Sequence, residues 1–270
     1  MDGHLTASQV EAYRHAGFHY PLEIMWAGEA ARHVASLEAI ESSNGPMHYR
    51  VKPYLVMTSA WEIATNTRLL DAIESVLGPD ILLWDCSYVI KEANNESYVS
   101  WHQDLTYWGL AMETDDDLVS AWVALTPATQ ANGAMQFVRG SHSGGTFAHQ
   151  DTYAVNNILH RGQTIVDDFA PATVTQSELA PGQASLHHGW TVHSSGPNGT
   201  GSRRIGIVMN YLKPSVRQVV GEFESATLVR GNDRYGNFKT EPICETDFAP
   251  ANVAFQLDME RRKRDVYDSA

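Results

Sequence analysis

Two segments of the chain read His-Gln-Asp, His102-Gln103-Asp104 and His149-Gln150-Asp151, and either could offer a nitrogen and a carboxylate oxygen to one metal ion. With twelve histidines and 32 acids in 270 residues, a His-x-acid match is expected by chance, so the surroundings must decide. His102 follows a strand-like run, and on a strand residues two apart face the same side, so His102 and Asp104 are expected to converge. His149 lies in a polar stretch with nothing to fix its geometry, which predicts a solvated loop. A second imidazole from later in the chain would complete a 2-His-1-carboxylate set with open coordination positions, the arrangement of non-haem Fe(II) oxygenases. His187, His188 and His193 all fall in one segment, and spacing alone does not choose among them. Arg203 and Arg204 open an apolar strand, where an inward-facing Arg could clamp a carboxylate bidentately.

Those groups need a scaffold. The first 80 residues read as mostly helical: a helix capped by Thr6 or Ser8 and ended by Gly17, an Ala-rich helix over 29–42, and a third over 66–77 halted by Gly78-Pro79. From Ile81 the texture changes to strand-like runs at 81–90, 98–101, 118–125, 134–138, 173–179, 184–186 and 204–212, separated by Gly, Pro, Asn or Asp. Many strands without long intervening helices predict an antiparallel barrel or sandwich. Residues 140–172 read as a long insertion and a candidate lid, and 259–265 as a charged surface helix. No repeat or linker interrupts the chain, so one domain over 1–270 with a helical N-terminal layer of about 80 residues is expected.

At these residues the chain resembles the phytanoyl-CoA dioxygenase family. The resemblance runs through Trp101 to Leu105, Ser120 to Leu125, Asn132-Gly133-Ala134 to Gly140-Ser141-His142, and His193 to Arg204. It extends to the opening helix and to the strand holding Lys91. It implies a mainly β fold with N-terminal helices, a double-stranded β-helix (jelly roll, cupin-like), and an Fe(II)- and 2-oxoglutarate-dependent dioxygenase that consumes O2. The resemblance implies iron held by His102, Asp104 and His193. It further implies Arg204, rather than Arg203, on the distal carboxylate of 2-oxoglutarate, with Trp122 and Lys91 as further cosubstrate contacts. One departure is Arg139, which stands where the family usually has Pro before Gly-Ser-His.

Composition narrows the partners. Hydrophobic residues at 43% and charged residues at 19% describe an ordinary folded chain. A net charge of −13 opposes nucleic acid and anionic membrane, and it opposes a coenzyme carrying several phosphates. Two cysteines exclude a disulfide framework. The N-terminus has no signal-peptide pattern and no apolar run reaches spanning length, so a cytoplasmic protein is expected; the oligomeric state stays open. Tyr88, Tyr98, Trp101, Tyr107, Trp108, Trp190 and Tyr211 crowd the site segments, and a few of them could enclose an ammonium group. Lys91, Arg139 or Arg203 could then meet an anionic end. The expected substrate is a small polar metabolite of the amino acid, betaine or aminophosphonate type. The alternatives are an acyl-CoA hydroxylase, a non-catalytic binding protein on the same fold, and a zinc hydrolase using the same ligands.

Overall fold

The chain begins with a helix whose ends are written locally. The Thr6 side chain accepts from the Gln9 backbone, Gln9 reciprocates, and Gly17, at φ 84°, closes α1 (Ala7–Ala16) in the left-handed region. This computed structural model describes residues 3–106, 108–220 and 224–269, and the side chains of these except 115, 160 and 264–269. After α1 come β1 (Phe18–Glu23), α2 (Ala27–Asn44), α3 (Thr58–Ala64) and α4 (Thr67–Leu77). Asn66 caps α4, accepting from the Arg68 and Leu69 backbone N–H groups. The strands that follow are β2 (Ile81–Lys91), β3 (Val99–His102), β4 (Leu118–Ala124), β5 (Met135–Val138) and β6 (Val174–Ser177). Then come β7 (Gln183–His188), β8 (His193–Ser195), β9 (Arg204–Leu212) and β10 (Ser225–Arg230), and the C-terminal α5 (Pro250–Ser269).

Two sheets face each other. The larger runs β1-β7-β4-β9-β2-β10 and ends on the short strand Lys239–Thr240; the smaller runs β3-β8-β5-β6. This is the expected jelly roll. The helices cover the outer face of the large sheet, where Leu37, Ile63, Leu69 and Ile73 pack with Leu83, Tyr88, Val123, Ile207 and Tyr211. Strict alternation along β4 and β9 then turns Trp122, Arg204, Val208 and Asn210 to the inner face, where they line a cavity. Strand β2 keeps this alternation only through a bulge. Asn210 pairs with Asp85 but Tyr211 pairs with Leu83, which leaves Trp84 as the extra residue. Ile81 and Leu83 face the helices before it, and Cys86, Tyr88 and Ile90 after it, so Asp85, Ser87 and Val89 point into the cavity.

The structure adds to the expectation in four places. The first 80 residues contain β1, an edge strand whose Pro21 obscures the strand pattern and is tolerated at an edge. Strand β10 was not foreseen, and α5 extends well beyond 259–265. The 140–172 insertion is no free loop: Tyr98 N–H donates to Asn156 O at 2.9 Å and Ile158 N–H to Tyr98 O at 3.0 Å. That anchoring places Ile158 and Leu159 on the cavity wall. Among the described residues no helix is long and apolar enough to cross a membrane.

Candidate metal centre and cosubstrate pocket

Strand register brings the two histidines together. His102 ends β3, and its direct partner across to β8 is His193, with ring centroids 4.1 Å apart. Both rings are fixed through Nδ1, His102 to Ser100 O (2.9 Å) and His193 O (3.1 Å), His193 to Thr191 O (2.9 Å). With Nδ1–H donating to carbonyls, both Nε2 lone pairs are left for a metal. They lie 3.4 and 3.8 Å from Asp104 Oδ1, and the three ligand atoms fall within 4.8 Å of one another. The strand reasoning for Asp104 needs correction. Strand β3 stops at His102, and Asp104 is the first residue of the 3-10 turn Asp104–Thr106.

Electrostatics prepare these groups. Burial opposes charge on Asp104, but His193, His102 and His187 beside it hold its carboxyl well below the usual carboxylate range. Burial, aided by the neighbouring His102, pushes the His193 imidazole down to about 3. A carboxylate beside a neutral imidazole is the protonation state that a divalent metal requires. The two-nitrogen, one-oxygen donor set suits Fe(II).

Gln103, fully buried, secures the turn between the ligands. Its Nε2 donates to Gly145 O (2.9 Å) and Trp190 O (2.8 Å), while its Oε1 accepts from Phe147 N–H (2.9 Å). His149 is not in a solvated loop. It is half-buried on a two-residue strand, its Nδ1 bonded to Phe147 O and its Nε2 3.4 Å from the Gln103 N–H. The polar insertion therefore supports the metal-binding turn, a long-range packing that composition does not reveal. His188 donates no ligand; its Nδ1 accepts from Trp190 N–H. His187 does face the centre, with Nε2 3.5 Å from Asp104 Oδ2, although neither ring nitrogen has a hydrogen bond within normal geometry.

The cosubstrate end lies along β9. Arg204 is 1% exposed, and only Nη1 has a partner, Gly133 O at 2.8 Å; Nε and Nη2 have none. Burial lowers its pKa to about 10, so it remains a cation at neutral pH. A buried guanidinium with two unsatisfied donor atoms is costly unless a ligand completes it, and a carboxylate has the matching fork. Trp122 lies beneath it, the guanidinium carbon 5.0 Å from the ring, and is at once core and cavity wall. Gly206 leaves room for that ring, since a Cβ there would stand 2.0 Å from Trp122 Cζ2. Gly206→Ala is therefore expected to lower stability by about 1–3 kcal/mol through overpacking. It should also weaken 2-oxoglutarate affinity with iron affinity little changed, as thermal melts and titration of each ligand would read.

Lys91 does not reach the cavity. It pairs across the strands with Arg204, and its Nζ donates to Ser195 O (3.1 Å) and to Gly196 O. Burial and Arg204 push its pKa down to about 7. Asn198 ties the same loop down, its Nδ2 donating to Lys91 O, Glu92 O and Ser202 O. Sequence reasoning passed over Asn198, because an Asn in a Gly-Pro-Asn-Gly stretch reads as a turn.

The cavity holds about 590 Å³ and joins both ends. The expected aromatic enclosure is largely absent from it. Tyr88 and Tyr211 belong to the helical side of the sheet, Trp101 packs on Phe169, Trp190 packs beside Leu105, and Tyr98 lies outside the cavity wall. Trp108 does line it, joined by Tyr49, which sequence reading missed, and Tyr107 lies outside the described residues. Arg139 sits over the Phe18 ring and Arg203 pairs with Glu41 and Glu92, so neither can meet a substrate in the cavity.

Comparison with known proteins agrees with this construction. The family model "Phytanoyl-CoA dioxygenase" matches residues 2–206, a span containing the triad and Arg204. The solved apo structure of ThoJ, a non-heme monooxygenase, is 33% identical, with 97% of this chain and 98% of that one covered and a TM-score of 0.85. ThoJ has also been solved as a nickel complex (32% identity, TM-score 0.80). A probable alpha-ketoglutarate-dependent hypophosphite dioxygenase of Stutzerimonas stutzeri is 26% identical over 170 residues, 63% of this chain and 58% of that protein. A phytanoyl-CoA dioxygenase domain-containing protein of Danio rerio is 31% identical over 123 residues, 43% of this chain. The chain spans 58% and 40% of the lengths of these two curated relatives. On its fold, its candidate metal triad and the reach of the family match, this chain belongs to the phytanoyl-CoA dioxygenase family.

Proposed function

We propose that the chain is an Fe(II)- and 2-oxoglutarate-dependent oxygenase that hydroxylates an unactivated C–H bond of a small polar, amine-bearing substrate. The observation that carries this reading is Arg204, a buried cation with two unsatisfied donor atoms in the same cavity as His102, Asp104 and His193. Iron held there, with 2-oxoglutarate and O2 as co-reactants, would supply the oxidising chemistry, dividing the two oxygen atoms between succinate and the substrate and releasing CO2.

The chain's own part is positioning. His102, Asp104 and His193 would hold the metal by three groups and leave the rest of its coordination to cosubstrate and O2. Arg204 would hold the far carboxylate of 2-oxoglutarate, with Trp122 as the floor beneath both. Ile158, Leu159, Val89 and Val99 give the remaining cavity an apolar wall. Lys91, outside the cavity lining, would act on the cosubstrate end by supporting the loop between His193 and Arg204. Among the described residues Arg204 and Lys263 are the cations lining the cavity, too few to cradle the phosphates of an acyl-CoA. The hypophosphite dioxygenase named above also acts, by its description, on a small ion.

Succinate release in the presence of iron, ascorbate and 2-oxoglutarate tests this. Amino acids, betaines and aminophosphonates are expected to stimulate it, and a long-chain acyl-CoA is not. Stimulation by the acyl-CoA alone would overturn the substrate class. An O2-independent hydrolytic activity that zinc sustains would overturn the reaction itself.

A further inference from the structure

The large sheet carries a second ionic feature away from the iron ligands. Asp85 projects into the cavity from β2, is 7% exposed, and has one carboxylate oxygen, Oδ1, without a hydrogen-bond partner. Its other oxygen receives Lys263 Nζ from α5. Cross-strand register fixes its position relative to the iron site. His187 pairs with Ser120, Ser120 with Asn210, and Asn210 with Asp85, so all four stand in one row across the sheet. Three strand spacings put Asp85 about 14 Å from His187, beside which Asp104 lies. Along β2 it is six residues from Lys91, the partner of Arg204, and so about 20 Å from the cosubstrate end.

Among the described residues Asp85, Glu260 and Lys263 line this side of the cavity, and Trp108, packed on Trp84 beside Asp85, supplies an aromatic face. A carboxylate with one oxygen unpaired is costly to bury, and a cation that takes the place of Lys263 and engages both oxygens would remove the cost. A strand residue in the middle of a packed sheet is a fixed acceptor, whereas Lys263 stands on a long side chain that can yield.

We propose that Asp85 is the specificity-determining residue of this cavity, binding a cationic group of the substrate several bonds from the C–H that reacts, with Lys263 occupying one carboxylate oxygen until it arrives. This rests on the proposed function and names the substrate class within it, an alkylammonium or guanidinium compound. No covalent step is involved; the exchange is one ion pair for another.

Matched probes test it by calorimetry on the full chain: L-arginine against L-citrulline, and choline against 3,3-dimethylbutan-1-ol. At least one cation is expected to bind about tenfold more tightly than its neutral match, a preference that Asp85→Asn abolishes. Lys263→Met should act in the opposite sense and tighten the cation, because it removes the competitor. That opposite sign separates recognition from a merely structural ion pair and keeps the proposal testable should Asp85→Asn fold poorly. Neutral probes binding as well as cations, no binding of either cation, a preference surviving Asp85→Asn, or weaker cation binding in Lys263→Met would each overturn it. Calorimetry does not depend on turnover. A wild-type protein that binds cations but forms no succinate would therefore overturn the proposed function and leave Asp85 as a cation site.

Discussion

Asp104→Ala is expected to abolish iron-dependent succinate formation and to lower Fe(II) affinity by at least about tenfold to a hundredfold, since even outer-shell losses at metal sites cost that much. The effect exceeds that of an ordinary buried ion pair because Asp104 is the one carboxylate among the three ligands and faces three imidazoles. His102→Ala and His193→Ala should act alike, each leaving a fold that far-ultraviolet circular dichroism reports as native. Asp151→Ala, whose partner is the half-exposed Arg161, should leave iron affinity unchanged. His149→Ala is expected to fall between, because its ring meets the Gln103 backbone next to the turn. Loss of iron binding from Asp151→Ala, with Asp104→Ala near wild type, would show that the other His-Gln-Asp holds the metal.

Arg204→Ala should raise the KM for 2-oxoglutarate by a hundredfold or more, equivalent to about 3 kcal/mol, while Fe(II) affinity stays near wild type. The guanidinium is 1% exposed and its Nε and Nη2 have no partner within the protein, so a carboxylate that reaches them is paired where the surrounding dielectric is low. Arg204→Lys should recover part of the loss, since an ammonium keeps the charge but not the planar fork. Arg203→Ala should be near silent in this assay, because Arg203 is engaged with Glu41 and Glu92 outside the cavity. If Arg203→Ala gave the large effect instead, the register of β9 would be off by one.

The parts of the site legible in sequence were those set by simple alternation. The run 204–212 becomes β9 with those same ends, and its alternation puts Ile205 on the helical side and Arg204 inward, the residue that the family resemblance rather than the strand pattern had chosen over Arg203. His102 was legible for the same reason, at the end of a β-branched and aromatic run. Asp104 was found by the right spacing for a partly wrong reason, since a 3-10 turn rather than strand pleat presents it. The aromatics misled because Tyr88 and Tyr211 lie on the strands that build the cavity, but on the side facing the helices. Asp85 escaped notice inside a run of apolar residues that reads as core. Gln103 and His149 meet only because the insertion folds back, and no local pattern encodes a contact between residues 46 positions apart.

The bulge at Trp84 works like a frameshift in the inside-outside message of β2. Upstream of it the odd-numbered residues face the helices; downstream the even-numbered ones do. The strand is thus divided into two separately addressed segments. Removing one residue there would return the whole strand to a single frame and send either Asp85, Ser87 and Val89 or Leu82 to the opposite face. Where the frame changes is also where β2 begins to line the cavity, at Asp85. With Asp85 reading the substrate as proposed, a change of substrate can be written there by single substitutions, without rewriting the end of the sheet that holds Arg204.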